Sequence, residues 1–349
     1  MQALFQGRDP GEPVVCLHTW GQYPFQYLSR QHLYGRIGGE GLARVYDEFR
    51  EAFPVDWFHV REEYGSHRDE WLTYDTESPP PPAPARGPAE SSPGPFPQTI
   101  AEVDALFDAH EESRAEVTAR VLEQGMYDHV RVLADRHGEV MIFPNQGAPG
   151  SGFPAPTWED QMIIAYRHPE VVEHYVRRSC RRYLGHVEAA RDRGAEGFIF
   201  SEGYGGACDL ISPQLFERIY LEPKREFYAE VRRMGLLGIG YCLGGVVPYL
   251  GTIERIGMDG LMIEESKKGF VLDPVEIRRA LSPGIVLFGN TDSDLLLRGS
   301  PEEIRADVAR QAEARKHGTF VFINGSPICP GTPPQNLRTF VEAARSTRR

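Results

Sequence analysis

The sequence IVLFGNTDSDLLLRGSPEEI, which runs from Ile285 to Ile304, contains one complete unit of the fold. Its first five residues, IVLFG, are almost wholly apolar, as expected for a strand that is buried on both faces. Ser300 precedes Pro301, so a side chain that can cap a helix stands directly before a proline at the first helical position. Glu303 completes the spacing of a capping box. The stretch therefore predicts a buried strand, a polar loop and a capped helix.

The same pattern of strand, loop and helix occurs eight times along the chain. Strands that alternate with helices pair in parallel, and eight of them in 349 residues predict a closed (β/α)8 TIM barrel. Such a barrel carries its functional side chains on the loops that leave the carboxyl ends of the strands. The predicted strands are residues 13–18, 54–59, 139–144, 197–201, 236–242, 261–264, 285–289 and 319–324.

Composition limits the classes of function. The chain has 38 basic and 50 acidic residues, a net charge of -12 and no run of Lys or Arg, so no nucleic-acid partner is expected. The N-terminus has no charged head before an apolar stretch, and no window approaches a membrane span, so no membrane association is expected. Five cysteines without paired spacing favour a cytoplasmic protein over a disulfide framework.

Three further prolines mark helix starts, and one segment interrupts the pattern. Ser212, Asp273 and Thr332 each precede a proline and are predicted to cap helices.

Residues 78–97 contain nine prolines and lie between the second and third predicted strands. We expect a surface excursion there; the alternatives are a lid over the barrel mouth and an arm onto a second subunit. Otherwise 1–349 is predicted to be a single barrel domain with an elaborated N-terminal region.

Three segments resemble the uroporphyrinogen decarboxylase superfamily, which contains the decarboxylases and the methyltransferases that serve corrinoid proteins or coenzyme M. They are residues 197–223 (GFIFSEGYGGACDLISPQLFERIYLEP), 287–304 (LFGNTDSDLLLRGSPEEI) and 327–345 (PICPGTPPQNLRTFVEAAR). Near the N-terminus, HTWGQY at 18–23 stands where the decarboxylases carry Arg-Gln-Ala-Gly-Arg-Tyr. The resemblance implies a divergent enzyme of the decarboxylase or methyltransferase type.

Departures from the family pattern argue against decarboxylation of uroporphyrinogen itself. The resemblance implies that the two arginines of the N-terminal motif hold propionate carboxylates, and these positions are His18 and Gln22 here. Neither side chain reproduces the fixed charge and the planar fork of a guanidinium. The histidine that the decarboxylases carry after the last strand maps to Ser326.

The zinc motif that the resemblance implies for the methyltransferases is also altered. Those enzymes carry His-x-Cys-Gly after the fifth strand and a cysteine after the eighth, and zinc lowers the pKa of a bound thiol. Aligned on the glycine, this chain has Tyr241 and Leu243 in place of the first two ligands, and the later cysteine maps to Ser326. The alternative is a shifted zinc site, to which four strand ends contribute ligands: His18, Glu202, Cys242 and Cys329.

The barrel prediction brings the candidate site residues to one rim. The predicted catalytic residues are His18, Glu202, Tyr204 and Tyr241. The predicted substrate-binding residues are Trp20, Gln22, His59, Glu264, Asn290, Asn324 and Ser326. Adjacent strand residues point to opposite faces, so only one of Tyr241 and Cys242, and only one of Glu264 and Glu265, is expected to face the lumen.

The leading function hypothesis is a methyltransferase or demethylase that acts on a small organic substrate. It moves a methyl group from an O- or N-methyl donor to a corrinoid protein, a folate or a thiol. His18 and Glu202 orient or protonate the leaving group, and Cys242 and Cys329, with zinc, activate a thiolate. The alternatives are a cofactor-free decarboxylase or other lyase with Glu202 or Tyr204 as proton donor, and a degenerate ligand-binding barrel. The resemblance also implies a homodimer.

Overall fold

Eight parallel strands form the centre of the molecule. The computed structural model describes residues 2–6, 11–19, 22–34, 37–61, 96–109, 111–146, 149–203, 207–267 and 269–347. The strands are β1 Val14–Val15, β2 Trp57–Arg61, β3 Met141–Gln146, β4 Gly197–Glu202, β5 Leu237–Cys242, β6 Gly260–Ile263, β7 Val286–Phe288 and β8 Phe320–Phe322. They are hydrogen-bonded in the order β1-β8-β7-β6-β5-β4-β3-β2. The predicted (β/α)8 barrel is confirmed.

Asp56 closes the seam between β1 and β2. Its backbone N–H donates to the carbonyl of Val15 at 3.0 Å, and the N–H of Val15 donates to the Asp56 carboxylate at 2.7 Å. On the other side of β1, the Cys16 N–H donates to the carbonyl of Phe322 at 2.9 Å. The sheet therefore rolls shut, and the carboxyl ends of the first two strands become neighbours in space.

Helices surround the sheet. The α-helices are Gln2–Phe5, Tyr23–Tyr27, Gly39–Ala52, Ile100–Asp108, Arg114–Glu123, Asp128–Arg136, Trp158–Arg167, Pro169–Asp192, Pro213–Arg233, Leu250–Ile256, Pro274–Ala280, Ser293–Arg298, Pro301–Ala312 and Pro334–Ser346. Short 3-10 helices lie at Gln31–Leu33, Cys208–Leu210, Val247–Tyr249 and Glu313–His317. Among the helices described here, none combines the length and the apolar character that crossing a membrane requires.

The predicted helix caps are correct except at Thr332. Ser212, Asp273 and Ser300 each accept a backbone N–H of the first turn that follows, and Ser300 forms the predicted capping box. The Thr332 prediction is wrong, because the last helix begins one residue later, with Pro333 at its N-cap. The Thr332 hydroxyl instead donates to the carbonyl of Cys329 at 2.8 Å and fastens the loop that follows β8.

Aromatic side chains fill the lumen beneath the barrel mouth. The N-terminal helix places Phe5 against Phe143 of β3 and Phe288 of β7, with ring centroids 6.2 and 6.3 Å apart. Trp57, the first residue of β2, packs edge-on against Phe143 at 4.9 Å. Tilted and edge-on aromatic contacts of this kind each contribute about 1 kcal/mol beyond the area that they bury. The lower lumen is therefore a packed core, which leaves the opposite end for the site.

The proline-rich segment, residues 78–97, falls almost entirely outside the described residues. Only its last two residues, Phe96 and Pro97, are described, and Phe96 packs against the core with its ring 6.4 Å from that of Phe153. The surface excursion, and the single domain over 1–349, therefore stay predictions.

Candidate active site at the mouth of the barrel

Two histidines stack near the mouth of the barrel, one in the loop after β1 and one in the middle of β2. His18 follows β1, His59 is the third residue of β2, and both are buried. Their ring centroids are 4.7 Å apart. Side chains two apart on a strand share a face, so His59 points the same way as Trp57, whose indole stacks beneath it at 5.6 Å. The lumen orientation of His59 is thus set by the aromatic layer below.

Tyr241 completes a cluster of three rings. Its ring meets that of His18 edge-on at a centroid distance of 5.2 Å. Its hydroxyl donates to the carbonyl of Gly325, in the loop after β8, at 2.7 Å. Burial raises the pKa of Tyr241, and the carboxylates of Glu265 and Glu264 raise it further. Tyr241 is therefore a neutral hydrogen-bond donor that is already engaged.

Both imidazoles of the cluster are neutral at pH 7. Burial lowers the pKa of His59 to about 3. Burial also lowers the pKa of His18 well below its ordinary value, and the adjacent His59 lowers it further. Asn145 of β3 donates through Nδ2 to His59 Nε2 at 3.0 Å, which leaves the His59 proton on Nδ1. The site thus presents imidazoles rather than fixed cations.

Several polar atoms of this cluster are buried without a hydrogen-bond partner among the described residues. They are Nδ1 and Nε2 of His18, Nδ1 of His59 and Oδ1 of Asn145. The backbone of Asn324 and Gly325 lies near the His18 ring and partly offsets the lowering of its pKa, but neither residue forms a hydrogen bond of good geometry with it. Leaving such an atom unpaired costs about 1–3 kcal/mol, so proteins seldom do so without a reason. Buried unpaired atoms also occur elsewhere among the described residues, for example on His129, but these four lie together at the mouth of the barrel.

Two adjacent carboxylates follow β6 and are held differently. Glu264 accepts the backbone N–H of Gly244 at 2.8 Å, so it is bound to the loop after β5. Glu265 is fully buried and forms an ion pair with Lys267. A Cβ on Gly325 would lie 2.7 Å from a Glu265 carboxylate oxygen. Glu265 therefore lies close to the loop that Tyr241 holds.

Asn324 and Asn290 support the rim through their amides. The Asn324 side chain accepts the His18 backbone N–H at 2.9 Å and donates to the carbonyl of Ser326. Asn290 donates to the carbonyls of Leu272 and Glu264, at 2.7 and 3.3 Å. These bonds orient the segments after β1, β6 and β8. A role for either amide, or for Ser326, in binding substrate stays a prediction.

The structure does not bring Glu202 into the cluster. Glu202 shares a face of β4 with Phe200, whose ring packs against Phe227 and Tyr228 of the outer helix Pro213–Arg233. Its carboxylate accepts the Tyr228 hydroxyl at 2.8 Å and pairs with the buried ammonium of Lys224 at 2.8 Å. The rim prediction assumed that a residue at the strand end faces the mouth, whereas alternation along β4 directs this side chain outward.

For the same reason, the structure does not bring together the four residues of the shifted zinc site. Tyr241 occupies the inner face of β5, so its neighbour Cys242 points outward and lies against Cys208. Cys329 lies on the rim, close enough to Lys267 and Glu265 for their charges to shift the pKa of its thiol. No group of three metal-binding side chains converges anywhere in the described part of the chain. The residues present do not fit the zinc site that the resemblance implied.

Some predicted residues are not placed in the cluster. Gln22 is exposed and precedes the short helix Tyr23–Tyr27, where its carbonyl accepts the N–H of Gln26. Trp20 and Tyr204 lie outside the described residues. The sequence reasoning missed Asn145 and did not select Glu265. Asn145 ends the apolar run of β3, and that position was the available signal.

Comparisons with known proteins agree with this architecture. Residues 98–347 match the family "Uroporphyrinogen decarboxylase (URO-D)", so His18 and His59 lie outside the matched part. A methyltransferase from Methanosarcina mazei has a similar fold, with a TM-score of 0.70 at 18% identity over 98% of this chain and 96% of that protein.

Several curated relatives bear the name uroporphyrinogen decarboxylase. The protein from Gluconobacter oxydans is 29% identical over 46% of this chain and 44% of its own length. That from Prochlorococcus marinus (strain MIT 9211) is 38% identical over 52% and 50%, and that from Granulibacter bethesdensis is 24% identical over 66% and 65%. The chain spans about half the length of most of the curated relatives it matches. With well over half of its residues matched, the chain belongs to the uroporphyrinogen decarboxylase family.

Proposed function

We propose that this protein is an enzyme that transfers a methyl group from a small organic substrate bound over the His18–His59 pair. The observation that carries the proposal is the group of buried, unpaired polar atoms on His18, His59 and Asn145. A substrate that supplies a few hydrogen bonds and an apolar methyl group would satisfy these atoms. It would also match the neighbouring aromatic ring of Tyr241.

The charge of the cluster favours such a substrate over a tetrapyrrole with many carboxylates. Neither His18 nor His59 carries a charge at neutral pH, and Gln22 is exposed. Neutral imidazoles bind a carboxylate far less strongly than guanidinium groups do, because they lack both the charge and the fork of donors. A small, weakly charged methyl donor therefore suits the described residues better than uroporphyrinogen.

His18 would handle the proton that accompanies the transfer. With a thiol as acceptor, the sulfur forms a bond to the methyl carbon while the bond from that carbon to the donor oxygen or nitrogen breaks. A neutral imidazole can take the thiol proton, and the resulting imidazolium, with its depressed pKa, gives that proton readily to the leaving group. The imidazole ends in its starting state, so atoms and charges balance.

Some groups named in the hypothesis drawn from the sequence have no part in the proposed transfer. Glu202 and Cys242 face the helix layer, so neither is assigned a role in the transfer. No step is assigned to zinc, because the residues do not fit that site. A corrinoid protein and a folate remain the other proposed acceptors, as the resemblance seen in the sequence implies.

A decarboxylase acting on a small carboxylic acid is the second candidate. The names of the curated relatives favour it. In that reaction the bond from carbon to the carboxylate breaks, carbon dioxide leaves, and His18, neutral at rest, would relay a proton from solvent to that carbon.

One assay separates the candidates. Purified full-length protein is incubated with O- and N-methyl compounds together with a thiol, a folate or a cobalamin, and separately with small carboxylic acids. Methylated acceptor that forms with the wild type but not with His18→Ala would support methyl transfer. Release of carbon dioxide without methylation would support the lyase. Ligands that bind but are not converted would support a degenerate barrel and overturn the proposal.

A further inference from the structure

One helix on the outside of the barrel presents large apolar side chains to solvent. It is the helix Trp158–Arg167, which follows β3. Trp158, Ile163 and Tyr166 are 56%, 47% and 80% exposed, whereas Ile164 on the opposite face is buried. A surface helix normally has one apolar face, which its own chain covers. The second apolar face of this helix therefore marks an interaction surface.

An open groove lies beside the helix. It has a volume of about 620 Å³ and is lined by Trp158, Glu159, Met162, Ile163 and Leu210. Four of these five side chains are apolar, so water in the groove finds few hydrogen-bond partners. Displacing that water with an apolar group is favourable. The groove therefore suits a large apolar side chain as its occupant.

The exposed face of the helix consists of two rows, and the residues of each row are four apart along the chain. The rows are Trp158, Met162 and Tyr166 on one side and Glu159, Ile163 and Arg167 on the other. The first row has a ring at each end and an apolar chain between them. The second row has an acid at one end, an apolar chain and a base at the other end. Each row is therefore complementary to a copy of itself that runs in the opposite direction.

The charges at the two ends of the second row have no counter-ion of their own. Glu159 and Arg167 are exposed, and neither side chain forms an ion pair or a hydrogen bond within the described part of the chain. On the next helix, Pro169–Asp192, Arg177 and Arg178 both pair with carboxylates. An antiparallel copy of the helix would supply the missing partner at both ends, and such complementarity fixes the register of a contact.

We propose that the helix Trp158–Arg167 docks against the same helix of a second copy of this chain, antiparallel about a twofold axis. A twofold contact requires a surface that is complementary to itself, as these two rows are. Tyr166 of each copy enters the groove of the other beside Trp158, and Glu159 of each copy pairs with Arg167 of the other.

This inference goes beyond the proposed function. The resemblance seen in the sequence implied a homodimer without assigning its surface, and none of the residues in the two rows belongs to the His18 cluster. Its tests measure mass and not activity, so their outcome is independent of the reaction at the barrel mouth.

Sedimentation equilibrium of the full-length protein between about 1 and 100 µM tests the surface. Two helices of 10 residues each form a small contact, so we expect a reversible dimer with a Kd of about 10 µM. Tyr166→Ser should weaken the dimer at least about tenfold, because both grooves lose their aromatic occupant. Tyr166 is 80% exposed, so circular dichroism should show that the variant folds normally.

Charge reversal tests the antiparallel register. Glu159→Arg alone and Arg167→Glu alone should each weaken the dimer about tenfold, because each places like charges at both ends of the contact. Mixed in equal amounts, the two variants should form a heterodimer with about the wild-type Kd, because every base then faces an acid. Arg298→Glu changes an exposed arginine of another helix and should leave the Kd unchanged.

Three outcomes would overturn the proposal. A protein that stays monomeric at about 100 µM would leave the apolar face to a different partner. An unchanged Kd in Tyr166→Ser would show that the chain dimerises through another surface. Failure of the mixed variants to associate would exclude the antiparallel arrangement.

Discussion

The imidazole rings of His18 and His59 stack with their centroids 4.7 Å apart, although they belong to the two strands at opposite ends of the hydrogen-bonded ladder. This contact exists only because the sheet closes through Asp56. It joins the loop after β1 to the middle of β2, and it gathers the unpaired polar atoms of the candidate site.

His18→Ala should reduce kcat/KM about 10²–10⁴-fold, the usual contribution of a positioned acid or base. The measurement is steady-state kinetics with the substrate that the activity screen identifies. His129→Asn is the matched control, since His129 is equally buried but lies in the outer helix Asp128–Arg136. Equal losses in the two variants would show that His18 acts through stability and not through chemistry.

Stability should fall as the pH falls below about 6.5, in part because of His59. Its folded pKa of about 3 lies below the unfolded value of about 6.5, so the unfolded chain binds the proton first. This contribution to the free energy of unfolding is complete above pH 6.5 and is lost progressively toward pH 3. Between pH 7 and pH 5 the loss is about 2 kcal/mol.

Urea denaturation of wild type and His59→Asn at these two pH values measures that contribution. The variant has no imidazole at this position, so its free energy of unfolding should change with pH by about 2 kcal/mol less than that of the wild type. An unchanged pH dependence would mean that His59 is not buried in its neutral form.

Tyr241→Phe should lower both stability and activity. The variant loses the hydrogen bond to the Gly325 carbonyl, which costs about 1–2 kcal/mol, and it frees the loop beside the imidazoles. Tyr249→Phe is a close control, because that buried hydroxyl also donates to a backbone carbonyl, of Ile211, at 2.6 Å. We expect similar changes in the urea midpoint from both variants but a fall in kcat only from Tyr241→Phe.

Lys224→Met should destabilise the fold by about 3–5 kcal/mol, because it leaves the Glu202 carboxylate buried without its counter-ion. Combining it with Glu202→Gln should recover most of that loss. Equilibrium unfolding of the two single variants and the double variant gives the coupling energy. If folded Glu202→Gln instead loses activity as fully as His18→Ala does, the assignment of Glu202 to the helix layer's packing is contradicted.

Thiol labelling should distinguish the five cysteines. Cys329 is partly exposed, and the other four are buried. Burial and nearby carboxylates raise the pKa of Cys329, so it should react with a disulfide reagent more slowly than a free thiol. One thiol should react before unfolding and five afterwards. Cys242→Ser should change neither the native labelling nor the affinity for added zinc; a loss of stoichiometric zinc binding would restore the zinc hypothesis.

The sequence predicted the barrel because its local signals agree with one another. The stretch around Ser300 shows this, since a buried strand, a polar loop and a capped helix follow in order, and the structure has all three. Apolar runs and caps are local properties, fixed by solvation and by backbone hydrogen bonding within a few residues. Their order alone implies parallel strands and therefore a common rim.

The sequence does not determine which face of its strand each rim residue occupies. Tyr241 and Cys242 are adjacent and both plausible in a site, and a shift of one residue exchanges their faces. Glu202 looked like a rim carboxylate, yet the large rings of Phe198 and Phe200 place its face of β4 against the helices. The sequence identifies Tyr241, Cys242 and Glu202 as candidates. Packing between segments far apart in the chain determines which of these side chains faces the lumen.

The sequence by itself therefore determined the architecture and the neighbourhood of the site, because strand order and loop direction follow from local patterns. Only the tertiary structure decided that His18, His59 and Tyr241 share the lumen while Glu202 and Cys242 belong to the outer layer. That decision depends on contacts between residues far apart in the chain, such as Asp56 with Val15 across the seam. No periodicity within one strand encodes these contacts.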